Sequence, residues 1–214
     1  MSDVAAVVDL CEEDQWRAGL YALIGRLFFE GPDTALLAQL AADSTDSAKS
    51  DPGYNGEPGY DGPLRQAWRQ LAAAGASLDA AALGHEHALL FIGVGKTPVT
   101  PYTSAYVPGV SPERHLLQLR RQLEQWGLGR DAANTTPEDH LAGVCDTMRH
   151  LILRDEPIEV QREFFNNYIY LQSLALCKKL TDAAPSRFYL EVARFTQAFL
   201  EVEREGFDMI ASRP

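Results

Sequence analysis

The sequence predicts an all-α fold: a compact single-domain bundle of about eight to nine helices. Apolar residues recur at spacings of three and four over most of the chain, the period of an amphipathic helix. No convincing period-two alternation, the mark of a half-buried strand, interrupts them. The boundaries carry helix starts and stops, such as Gly31-Pro32, Ser111-Pro112-Glu113 and Gly127. A chain of 214 residues is long enough to bury a substantial core and fits one domain over 1–214.

The first helix is expected in DQWRAGLYALIGRLFFEGPD. There Trp16, Leu20, Leu23, Ile24, Leu27 and Phe28 form one stripe and Gly31-Pro32 stops it. A short helix, DTALLAQLAA, follows. From Asp43 to Pro63 the chain is rich in Gly, Pro, Asp and Ser, which predicts a flexible loop over 43–63. Helices resume over Pro63–Ala74, on Leu64, Ala67, Trp68 and Leu71, and over about Asp79–Ile92. Gly93 to Pro112 reads as a crossover loop. Ser111, Pro112 and Glu113 then supply N-cap, first position and acidic first turn for a helix that runs to Trp126 and ends at Gly127. A helix opening near Pro137, a long one over about Pro157–Leu180 and a last one over about Ser186–Glu205 complete the bundle.

Composition excludes several classes. Hydrophobic residues make up 46% and charged residues 23%, as in ordinary globular proteins. No apolar run approaches the roughly 18 residues that span a bilayer, and MSDVAAVVDLCEED lacks the basic start of a secretory signal. The expectation is a cytoplasmic protein with no integral membrane segment. Cys11, Cys145 and Cys177 form no CxxC and leave one over, which fits a reducing compartment without a disulfide framework. A net charge of −11 is opposite to what a nucleic-acid binder uses. It suits ordinary solubility or a basic partner such as an arginine-bearing peptide.

Catalytic and metal motifs are weak. GVGKT lacks the first glycine of a P-loop, that position being Leu90, and proline-rich chain follows it instead of a helix N-terminus. His85 and His87 stand two apart, about 200° around a helix, so they cannot share a metal held at i, i+3 or i+4 spacing. No GxSxG is present. No catalytic residue, metal site or cofactor is expected. A helical enzyme binding or hydrolysing a nucleotide through Asp139, His140 and Lys96 is the rival from another class.

TTPEDH, residues 135–140, reads first as a helix start. Thr136 suits the N-cap, Pro137 the first position, and Glu138 and Asp139 the positive end of the dipole. His140 then lies at the edge of the stripe made by Leu141, Val144, Met148, Leu151 and Ile152, with Asp139 about 100° off it. A capped start with a packed histidine and a polar pair at a groove wall both fit this pattern.

Four stretches resemble the TorD/DmsD/NarJ-like family of redox-enzyme maturation chaperones, more closely its Tat-proofreading branch. They are YALIGRLFFEGPD, EHALLFIGVGKTPVTPYTSAY, TPEDHLAGVCDTMRHL and FYLEVARFTQAFL. The resemblance implies a non-enzymatic helical chaperone. Its partners would be the twin-arginine signal peptide and the apo-form of a molybdenum-cofactor oxidoreductase subunit. It would assist cofactor insertion and withhold export until maturation. A NarJ-like assembly factor for a non-exported membrane reductase is the alternative, and monomers and helix-exchanged dimers are both implied. Carried over by position, Asp139 and His140 match the family's D-H, Leu90 and Phe91 its L-F, and Pro101, Tyr102, Ser104 and Tyr106 its Pro/aromatic loop. Glu86 opens the second motif, and His87 stands where the family has Tyr or Trp.

Those residue types suit peptide recognition. A carboxylate such as Asp139 can accept a guanidinium, and Tyr102 and Tyr106 can stack on it. Leu90 and Phe91 can line an apolar floor, and His140 can bridge Asp139 to a backbone. Thr136 departs from the family's Glu, and YIYLQ at 168–172 lacks the expected His and Trp.

Overall fold

Apolar stripes at helical spacing have to meet other stripes, and here they do so in a bundle of helices. A computed structural model of the chain describes residues 10–45, 62–93, 97–128, 136–183 and 187–212. Among them the helices are α1 (Glu12–Phe29), α2 (Thr34–Thr45), α3 (Pro63–Ala76), α4 (Ala80–Phe91) and α5 (Pro112–Gln125). These are followed by α6 (Leu141–Leu153), α7 (Ile158–Phe164), α8 (Tyr170–Ala183) and α9 (Arg187–Ala211). A 3-10 turn spans Thr103–Tyr106. The all-α expectation holds, and the only extended pairing among the described residues is one antiparallel bridge, Tyr102 with His140.

Most boundaries have the expected local cause. Asp79 Oδ1 accepts from the Ala82 N–H at 2.7 Å, and Ser111 Oγ from the Arg114 N–H at 3.3 Å, each satisfying a donor left over in a first turn. Gly127, at φ +70°, takes the left-handed conformation that closes α5. The loop expected over 43–63 needs trimming. Residues 43–45 are the last turn of α2, and residues 46–61 lie outside the described ones. The last helix runs on to Ala211.

Two expectations are corrected. The long helix over 157–180 is interrupted by a π-helical turn, Phe165–Ile169, which joins α7 to α8 without a break. The Gln172 side-chain amide donates to the Asn167 carbonyl at 2.9 Å, satisfying an acceptor in that turn. The helix expected to open at Pro137 instead starts at Leu141, with His140 as its N-cap.

The core lies between α1, α6, α8 and α9. α1 and α9 run antiparallel: the Tyr189 hydroxyl reaches the Leu27 carbonyl at 3.3 Å, and the Tyr21 and Phe199 rings meet edge-on at 4.9 Å. Farther along, Arg17 Nε donates to Glu203 Oε1 at 2.7 Å and the Tyr21 hydroxyl to Glu203 Oε2 at 2.9 Å, all buried. α6 crosses α1 closely, because a Cβ on Gly25 would lie 3.5 Å from Ala142 and from Cys145. On the other side α3 packs on α9 through Trp68 and Phe195, 5.4 Å between rings. All three cysteines are free thiols, and burial pushes Cys145 and Cys177 up.

Candidate functional site

The crossover after α4 folds back on itself. The Val99 N–H donates to the Leu90 carbonyl at 3.3 Å, and the Tyr106 hydroxyl to the Thr100 carbonyl at 2.8 Å. The loop then pairs with the chain entering α6. The Thr103 N–H donates to the Asp139 carbonyl, and the Leu141 N–H to the Pro101 carbonyl, each at 2.8 Å. These two bonds hold His140 extended, at φ −59° and ψ 138°, and explain why α6 starts late. Pro137 does open a single turn, closed by the His140 N–H on the Pro137 carbonyl at 3.1 Å, but an extended His140 cannot carry that turn on into the helix.

Side chains reinforce the pairing. Ser104 Oγ donates to Asp139 Oδ2, and Thr103 Oγ1 donates to the Asp139 carbonyl at 3.1 Å. Asp139 is only 3% exposed, so it is no groove wall, contrary to its position on a helical wheel. Its Oδ1 is buried without a protein partner, as is His115 Nε2. Burial pulls His115 below the usual imidazole range, and the Asp139 charge opposes that.

His140 caps α6 with its ring. Nδ1 accepts from the Ala142 N–H at 3.1 Å, which places the proton of the neutral form on Nε2. Tyr102 and Phe29 meet this ring nearly perpendicularly, at 5.4 and 5.6 Å between centroids. Burial, with the His87 charge adding to it, lowers His140 to about 4, so it is neutral at physiological pH. His140 is itself buried, which favours the packed-histidine reading over the exposed pair.

The structure brings Pro101, Tyr102, Ser104, Asp139 and His140 into one cluster. His87, Leu90 and Phe91 turn inward from α4 instead. His87 Nε2 lies 3.4 Å from the Phe28 carbonyl, its ring 5.1 Å from Phe91 and 6.0 Å from Tyr189. Glu86 is buried beside Tyr189, whose phenol is pushed up by burial and by that carboxylate. His85 is exposed, on a different face from His87 as the spacing required. Tyr102 and Tyr106 are half-buried, the most accessible members of the set. Among the described residues no group of three or more His, Cys, Asp and Glu could hold a metal ion. Lys96 lies outside the described residues.

Sequence reasoning missed Phe29. It is 52% exposed, touches His140 and walls a groove of about 290 Å³ between α1 and α6. The signal was available: in the Phe28–Phe29 pair only the first belongs to the stripe, leaving an aromatic on the outer face just before the helix stop. The close turn before α6 was also missed. A Cβ on Gly143 would lie 2.8 Å from the Glu138 carbonyl oxygen, while Glu138 Oε2 holds Arg120 Nε at 2.9 Å.

The profile of the nitrate reductase delta subunit family matches residues 57–175, more than half of the chain. The chain belongs to that family. With it the protein falls among the TorD- and NarJ-like redox-enzyme maturation chaperones. It is 24% identical over 209 residues to the chaperone protein TorD of Shewanella loihica, covering 93% of this chain and 96% of that relative. A solved structure from Archaeoglobus fulgidus, described as a candidate redox enzyme maturation protein, superposes with a TM-score of 0.51 at 22% identity. That match covers 86% of this chain and 93% of the archaeal one, and it shows the shared fold. Among the described residues no helix is long and apolar enough to cross a membrane.

Proposed function

We propose that this family member is a cytoplasmic chaperone that binds the twin-arginine signal peptide and the apo-form of a molybdenum-cofactor oxidoreductase subunit. It assists cofactor insertion and withholds export until maturation, without turnover of its own, as a monomer or a helix-exchanged dimer. The observation that carries the reading is the near end-to-end likeness to a TorD chaperone. The pairing of Tyr102 on the crossover loop with His140 at the start of α6 supports it. In this reading Tyr102 and Tyr106 face the peptide, and Asp139, Ser104 and Pro101 keep the loop in place. His140 orients Tyr102, while Glu86, His87, Leu90 and Phe91 shape the apolar wall behind the loop.

Isothermal titration with a twin-arginine peptide tests this. A version with both arginines changed to lysine should bind about tenfold more weakly, because guanidinium forks and stacks where ammonium does not. Equal affinities would remove arginine recognition from the proposal. The second reading, a NarJ-like assembly factor for a membrane reductase that is not exported, draws on the delta-subunit family description. Co-purification of a client without a twin-arginine leader would favour it.

A further inference from the structure

α5 meets the junction before α6 at two neighbouring residues. On the outside Arg120 Nε donates to Glu138 Oε2 at 2.9 Å, with the arginine side chain 40% exposed. One residue on lies Asp139, in the interior, and α5 sends His115 inward from its first turn. The two are 3% and 5% exposed, and the Asp139 charge acts on the imidazole. The 3-10 turn that supplies Ser104 to Asp139 packs on α5 as well. His115 thus lies beside the cluster, although it stands outside the four stretches that carry the family resemblance and the peptide reading gives it no role.

Asp139 Oδ1 and His115 Nε2 are complementary. Each is buried without a hydrogen-bond partner in the protein, one an acceptor and the other able to donate. A buried polar atom left alone costs more than an ordinary hydrogen bond returns, so folded proteins rarely leave two together. These two interact electrostatically but share no direct hydrogen bond, and a single water satisfies such a pair. The imidazole also has a fixed seat. Tyr168, in the π-helical turn, backs it at 5.3 Å between ring centroids, and π-helical turns recur where a helix is reshaped around a functional site.

We infer that one buried water bridges His115 Nε2 to Asp139 Oδ1, and that His115 is through it a positioning residue for the crossover loop. With its proton on Nε2, His115 donates to the water and the water donates to Oδ1. The carboxylate is then held from both sides, by Ser104 on Oδ2 and by α5 on Oδ1, which steadies the backbone that receives the Thr103 N–H. The bridge ties α5 to the loop bearing Tyr102 and Tyr106. Only its effect on peptide binding rests on the chaperone reading.

Hydrogen exchange of the full chain tests the bridge, read at the Thr103 and Leu141 amides that pair the loop with the start of α6. His115→Phe keeps a ring against Tyr168 and removes the nitrogen. His115→Met removes it too, with a side chain that adapts to its surroundings should the phenyl ring disturb folding. Both should speed exchange at these amides about tenfold and leave α1 and α9 amides unchanged. His115→Gln, whose amide nitrogen reaches about as far as Nε2, should stay within about twofold of wild type. Magnetic relaxation dispersion of water should count one long-lived internal water fewer in His115→Phe and the same number in His115→Gln. Unchanged exchange in both apolar variants, equal acceleration in His115→Gln, or an unchanged water count in His115→Phe overturns the inference. Affinity for a twin-arginine peptide should follow the same order, weakest in the apolar variants. A wild type that binds no such peptide overturns the chaperone reading, and the exchange rates still decide the bridge. Peptide held equally by every variant, with the exchange response present, overturns the positioning role.

Discussion

At the scale of single residues, burial decides what Asp139 and His140 can do. Asp139 is sealed with one carboxylate oxygen on Ser104 and the other without a protein partner. Ser104→Ala should therefore cost about 1.5–3 kcal/mol, the worth of a hydrogen bond to a charged group, read from urea midpoints. His140 is held near 4 against an ordinary 6.5. As pH falls through that window the unfolded chain takes up the proton first, so stability present above 6.5 is lost toward 4. His140→Asn keeps a capping side chain and should flatten part of that slope in urea midpoints measured across it. His87 and His115, also lowered by burial, add to the slope with the same sign. The sequence named this pair but not its surroundings, because a wheel drawn from Pro137 assumes a helix that residues 137–140 do not form.

At the scale of elements, starts and stops written in neighbouring residues were legible. Ser111-Pro112, Asp79 and Gly127 act where they stand. What could not be read was the start of α6, set by the Thr103–Asp139 and Leu141–Pro101 hydrogen bonds between segments far apart in the chain. The π-helical turn at Phe165–Ile169 was equally hidden, since the apolar pattern runs straight through it. Gly143 marks the tightest point: its Cα faces the Glu138 carbonyl closely enough that a methyl group would have to displace backbone. Gly143→Ala should destabilise by about 1–3 kcal/mol in a thermal melt. The same change at Gly84, where nothing lies within 4 Å of an added Cβ, should be neutral or slightly stabilising.

At the scale of the whole molecule, the bundle is closed by a buried ion pair between its first and last helices. Arg17→Met leaves Glu203 charged and buried beside Tyr21 and should cost about 3–5 kcal/mol, whereas Arg17→Met with Glu203→Leu should recover much of the loss. A double-mutant cycle in urea checks both. Helix content and segment order were legible from periodicity alone, but this closure was not, because nothing local links two polar positions 186 residues apart. The closure also has a consequence for biosynthesis. At ribosomal rates of about 5–20 residues per second, α1 waits on the order of 10–40 seconds for Glu203 to be made. Through that interval the nascent chain carries Arg17 and the apolar face of α1 without their final neighbours. The finished packing of α1 thus waits on the synthesis of α9, and a message truncated before codon 203 leaves Arg17 with Asp14, 2.8 Å away on its own helix, but without the Glu203 fork that ties the first helix to the last.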